Sequence, residues 1–115
     1  MLRITYAGGG FVTGTDIAEA VLEYASSLAR AGDVDIVDVK VRETDGTLGR
    51  VRMLLGASMP IALEADGDTA AKYGELRDEV SVAQLTRLTS ERRSSARQLT
   101  AEEAKAWQAI GDIDL

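Results

Sequence analysis

Tyr6-Ala7-Gly8-Gly9-Gly10-Phe11-Val12-Thr13-Gly14-Thr15-Asp16 is the stretch on which the reading of this chain turns. Upstream of it, Leu2-Arg3-Ile4-Thr5-Tyr6 alternates apolar and polar with period two, which predicts a strand. Glycine tolerates positive φ, so the chain can reverse at the triplet and send Phe11-Val12-Thr13 back as a short partner strand. Downstream, Ile17, Val21, Tyr24 and Leu28 recur at helical spacing with Ala18, Leu22, Ala25 and Ala29 beside them. Thr15 or Asp16 is the expected cap of that helix, because either side chain can accept from its orphan N–H groups. Gly32 supplies its left-handed end.

The same residues are the candidate small-ligand site. Backbone N–H groups at a glycine turn and a helix N-terminus can cradle a phosphate, with Gly8, Gly9, Gly10, Gly14 and Thr15 as its contacts. Gly9 and Gly14 have the separation of a P-loop, but Thr15-Asp16 stand where Lys and Ser/Thr must meet phosphate and Mg²⁺. A dinucleotide loop would need a third glycine at Thr13. The Asp16 carboxylate would also repel an anion. A hairpin turn followed by a helix start is the stronger reading.

Working outward, Val34 to Arg42 reads as a strand with Val37, Val39 and Val41 on one face and Asp38, Lys40 and Arg42 on the other. Leu48 to Leu55 is its hairpin partner. A two-residue turn at Asp45-Gly46 would set Val39 opposite Arg52 and mix the faces. A three-residue turn, Thr44-Asp45-Gly46 with Gly46 left-handed at a bulge, pairs Val37 with Met53, Val39 with Val51 and Asp38 with Arg52. The second register is expected. Ile61-Ala62-Leu63-Glu64 follows as a short strand opened by Pro60, and Asp66-Gly67-Asp68 turns the chain, with Asp68 as a cap.

Beyond it, Tyr73, Leu76, Val80, Ala83, Leu85 and Leu88 fit helical spacing, with a break at Gly74. Residues 89–99 are polar and read as an exposed loop. Thr100-Ala101-Glu102-Glu103 is a capping box that opens a helix from Ala101 to Ile110, anchored by Trp107. The fold class is therefore α+β, a single domain over 1–115. A mainly antiparallel sheet of four to five short strands, ending in a consecutive meander, carries the first helix on one face, and C-terminal helices follow.

Composition narrows function mostly by exclusion. The 115 residues include no Cys and no His, which removes disulfides, thiolate zinc, Ser-His-Asp triads and imidazole proton transfer. No paired acid and base stand at a telling spacing, so no catalytic residue and no cofactor is assigned. Asp35 and Asp38 of the Asp33-Asp35-Asp38 cluster fall on opposite strand faces, and Asp66-Gly67-Asp68 lacks the remaining ligands of a calcium loop, so no metal is expected. A net charge of −6 disfavours general nucleic-acid binding. No leader or membrane-spanning stretch is evident, and a cytoplasmic location is expected.

Arg87, Arg92, Arg93 and Arg97 form a basic island in this acidic chain. Residues 82–97 echo a helix-turn-helix, yet Thr86, Ser90 and Glu91 stand where a small residue, a glycine and a buried apolar residue belong. The expected function is a non-catalytic protein-interaction module, with an unknown protein or a second copy as partner and these arginines among its contacts. The alternatives are a small-ligand or nucleotide binder at the glycine joint and a weak DNA-binding module over Arg87–Arg97.

Overall fold

In the computed structural model, which describes residues 1–56 and 58–94, the glycine joint is a hairpin. Strand β1 (Leu2–Tyr6) pairs antiparallel with β2 (Gly9–Thr13), Ile4 facing Phe11 and Tyr6 facing Gly9, so Ala7-Gly8 is a two-residue turn. Gly8 has φ of +89° there, a conformation that costs a β-carbon-bearing residue about 1–2 kcal/mol. The chain continues into helix α1 (Thr15–Ala31), strands β3 (Val34–Arg42), β4 (Leu48–Gly56) and β5 (Ala62–Ala65), and helix α2 (Gly67–Tyr73). Residues 79–94 are again helical, α3. The sheet order is β4-β3-β2-β1-β5 with every neighbouring pair antiparallel, and α1 packs on it, so the fold is α+β as expected.

The β3–β4 hairpin adopts the three-residue turn. Val37 faces Met53, Val39 faces Val51 and Asp38 faces Arg52. Glu43 N–H donates to the Thr47 carbonyl at 2.8 Å, Gly46 N–H donates to the Glu43 carbonyl at 2.9 Å, and Gly46 has φ of +88°. Burial of Val37, Val39 and Val41 against α1 sets this register, because a slip of one residue would turn all three to solvent.

Several local expectations differ. The N-cap of α1 is Gly14 rather than Thr15 or Asp16, and no side chain of its own caps it. Asp66, not Asp68, caps α2, accepting from Thr69 N–H at 3.0 Å. The last three strands are not a meander, because β5 leaves β4 and pairs with β1 at the other edge, Ile4 facing Leu63. Pro60, which has no N–H to contribute, lies two residues upstream of that edge strand. Val80 is 79% exposed instead of core. Residues 89–94 are helical, and Thr89 is buried with its hydroxyl donating to the Leu85 carbonyl at 2.8 Å. That local bond satisfies a polar group which composition alone sends to solvent. The helix expected over Ala101–Ile110 and its Trp107 lie outside the described residues.

The core sits between α1 and the inner face of the sheet. Ile17, Val21, Tyr24 and Leu28 meet Ile4, Phe11, Val39, Val41 and Leu55, and Leu76 and Leu85 close it from the C-terminal side. The sheet is in effect two units, since β2 meets β3 at the single register pair Val12–Arg42. Beside that pair the buried Thr13 hydroxyl donates to the Lys40 carbonyl at 2.6 Å.

Candidate interaction surface

The feature with the clearest chemical use is the edge of β4, which no other strand pairs among the described residues. It is nine residues long, lies at one end of the strand order, and alternates its backbone groups between β3 and open space. The phase follows from the turn. Glu43 and Thr47 are hydrogen-bonded to each other, so every second pair from there, 41/49, 39/51 and 37/53, exchanges ladder bonds. The pairs between them direct their backbone away from one another. The Lys40 carbonyl obeys this, pointing to β2 where Thr13 reaches it. Leu48, Arg50, Arg52 and Leu54 therefore aim N–H and C=O at the free edge, and their side chains share the outer face.

That outer face is apolar at one end and basic in the middle. Val34 and Ile36 are each 61% exposed and Leu54 is 44% exposed, with Ile36 directly opposite Leu54. Lys40 faces Arg50, a like-charge pair, while Arg52 Nε is 3.2 Å from Asp38 Oδ1. The Asp78 carboxyl is held below its usual range mainly by the Ser81 hydroxyl, and the charges of Lys40 and Arg50 act on it in the same direction. Against the same edge lies a largely apolar groove of about 200 Å³ lined by Tyr6, Val51, Met53, Leu54, Met59 and Ile61, with Arg52 as its one charged wall. The start of β5 and the end of β1 thus approach β4 across it.

The candidate ligand residues are not gathered in one place. Gly8, Gly9 and Gly10 are exposed at the hairpin tip, whereas Gly14 and Thr15 lie at the other end of β2. At that end the α1 N-terminus already meets an anion, because Glu75 Oε1 accepts from Thr15 N–H at 2.6 Å. Glu75 Oε2 also lies 2.7 Å from the Met1 amine, which in turn touches Thr15 Oγ1 at 3.1 Å. The ammonium first and the Thr15 N–H second hold the Glu75 carboxyl below its usual range.

A carboxyl depressed in the fold stabilises it above the unfolded value, and that stability is lost as pH falls through the folded value. Glu75, Asp66 and Asp78 are all lowered, so urea midpoints should hold near neutral pH and fall below about pH 4.5. Glu75→Gln should cost about 1 kcal/mol at pH 7 and flatten part of that acid decline. An unchanged acid limb would show that Glu75 contributes nothing to it.

The described arginines of the island each pair with a carboxylate of the same chain, Arg92 half-buried and Arg87 and Arg93 exposed. Arg92 Nη1 is 2.7 Å from Asp33 Oδ2, with its guanidinium 5.7 Å from the Tyr24 ring centroid. Arg93 Nη2 is 2.7 Å from Glu23 Oε2, and Arg87 pairs with Glu91 one turn along at 3.7 Å. Arg97 lies outside the described residues. Arg92 and Arg93 tie α3 to α1 and to the loop after it. Beneath them the Tyr24 hydroxyl donates to Asp35, which burial and that carboxylate together accompany with a raised phenol pKa.

Sequence reasoning did not find Glu75, because a cap supplied from 60 residues away leaves no local spacing. The alternation Leu48-Arg50-Arg52-Leu54 was visible, but its place at a free edge depends on where β5 pairs. Among the described residues no group of three or more metal-ligating side chains occurs, and no helix is long and apolar enough to cross a membrane. Comparison with protein-family models, curated proteins and solved structures gives no match to this chain.

Proposed function

We propose that this chain is a protein-interaction module whose work is binding rather than catalysis, and that it binds by adding an extended segment to the β4 edge. The observation that supports this most is the nine-residue edge, unpaired among the described residues, that lies beside a largely apolar groove and the exposed Ile36–Leu54 pair. Such an edge offers a ladder of N–H and C=O groups for affinity, and the side pockets offer selectivity.

Selection of randomised peptides on the immobilised full chain tests the reading. Binders should slow hydrogen exchange at the Arg50, Arg52 and Leu54 amides, which have no partner among the described residues. Val51, Met53 and Leu55 amides, already bonded to β3, should change little. Arg52→Pro should abolish binding while leaving the β3–β4 ladder intact, since the N–H it removes points outward. Binders that map elsewhere, or that survive Arg52→Pro, would sink the proposal.

A further inference from the structure

We infer that the segment which docks on β4 is an acidic–apolar strand of another protein, with carboxylates opposite Arg50 and Arg52 and an apolar side chain between them. The inference rests on the edge-binding reading and adds the chemistry of the partner. Arg50 and Arg52 direct both backbone groups to the free edge, so each would form a hydrogen-bonded pair with a docked antiparallel strand. The residue opposite shares the outer face with the arginine, its β-carbon about 5 Å away, within reach of a carboxylate. Arg50 makes no ion pair within 4 Å among the described residues, and Lys40 adds like charge beside it. Arg52 has only the exposed Asp38.

The partner residue between those two carboxylates would face Val51 on the inner side. There the groove walls include Tyr6, Met53, Met59 and Ile61, with Arg52 the one charged residue of the lining. Arg52 is already opposed by a carboxylate of the docked strand, and an apolar side chain gains most from burial against Met53, Met59 and Ile61. The recognised core is therefore acidic–apolar–acidic in extended form.

A second copy of this chain fits the edge less well. Two-fold symmetric antiparallel pairing keeps inner faces together, so only residues of like parity can oppose. Centred on residue 52 it sets Arg52 against Arg52, and centred on residue 51 it sets Arg50 against Arg52. Sliding further removes those clashes but leaves the arginines without a counter-charge.

The test is calorimetric titration of the full chain with two capped nine-residue peptides, one alternating Val and Glu and one alternating Val and Lys. The Val–Glu peptide should bind at least about tenfold more tightly, and the gap should shrink by a similar factor between low and high salt. Arg50→Glu with Arg52→Glu should reverse the preference, and Arg52→Pro should abolish binding of both peptides at an unchanged melting temperature. Equal binding of the two peptides, or binding of neither, overturns the inference. Concentration-dependent dimerisation in sedimentation that is lost on Arg52→Pro overturns it too, naming a second copy as the occupant. If randomised peptides still map to β4 without acidic preference, the edge-binding reading survives and only the partner chemistry fails.

Discussion

Gly14→Ala should destabilise this protein by about 3 kcal/mol or abolish folding, the largest effect expected of any single methyl group here. Gly14 has φ of −62° and ψ of 149°, a conformation open to any residue, so backbone strain is not the reason. The reason is space. A β-carbon at Gly14 would stand 1.8 Å from the Leu76 carbonyl oxygen and 2.9 Å from its carbon, both of them backbone atoms. Neither can turn aside as a side chain would. The segment around Leu76 must then lift off the start of α1. With it go the Glu75 contact to Thr15 N–H and the 3.2 Å contact of Leu76 N–H with Met1 Sδ. Gly8→Ala is the contrast. Open space surrounds Gly8, and only its φ of +89° is penalised, at about 1–2 kcal/mol. Urea unfolding of both variants measures the difference; equal losses would show that the contact at Gly14 relaxes freely.

Tyr24→Ala should cost about 4 kcal/mol, as for the loss of other large buried side chains. Tyr24 is 1% exposed, and three elements converge on it. Its ring is part of the α1 core, its hydroxyl donates to Asp35 on β3, and the Arg92 guanidinium of α3 lies over its face. Tyr24→Phe separates these contributions. It keeps the packing but leaves the Asp35 carboxylate without its hydroxyl donor, so about 1–2 kcal/mol is expected. A phenol whose pKa is raised in the fold stabilises it below the unfolded value and loses that contribution as pH rises further. The Tyr24→Phe variant should therefore show a shallower alkaline decline above about pH 10 than the parent. Thermal melts across that range check it, and parallel curves would mean that Tyr24 titrates alike in both states.

Both residues were legible in part. Tyr24 stood on an apolar helical stripe, so its burial follows from spacing, but its bond to Asp35 crosses 11 residues and needed the packed structure. Gly14 is the last glycine before a helix, which in the sequence marks it as a contact of a candidate anion cradle, with the cap expected at Thr15 or Asp16. What occupies that position is the chain itself, through Glu75 and Leu76, and no periodicity near residue 75 announces it. The polar stretch after Thr89 failed for a related reason. Its residues look solvated one by one, yet Arg92 and Arg93 find Asp33 and Glu23 on other elements and hold a helix there.

By itself the sequence determined the local geometry of this protein. Alternation placed β1, β3 and β4, glycine placed the left-handed turns at Gly8, Gly32 and Gly46, and the demand that valines share one face chose the hairpin register to the residue. These are short-range consequences of sterics and of the two periodicities, and they need no knowledge of distant contacts. Tertiary structure alone decided which strand would be left at the edge. Once β5 crosses to β1, β4 keeps a row of backbone groups unpaired among the described residues, and Arg50 and Arg52 pass from ordinary surface residues to the rim of the proposed docking edge. Strand order is a property of long-range pairing and loop closure, which the spacing of residues along one strand does not encode.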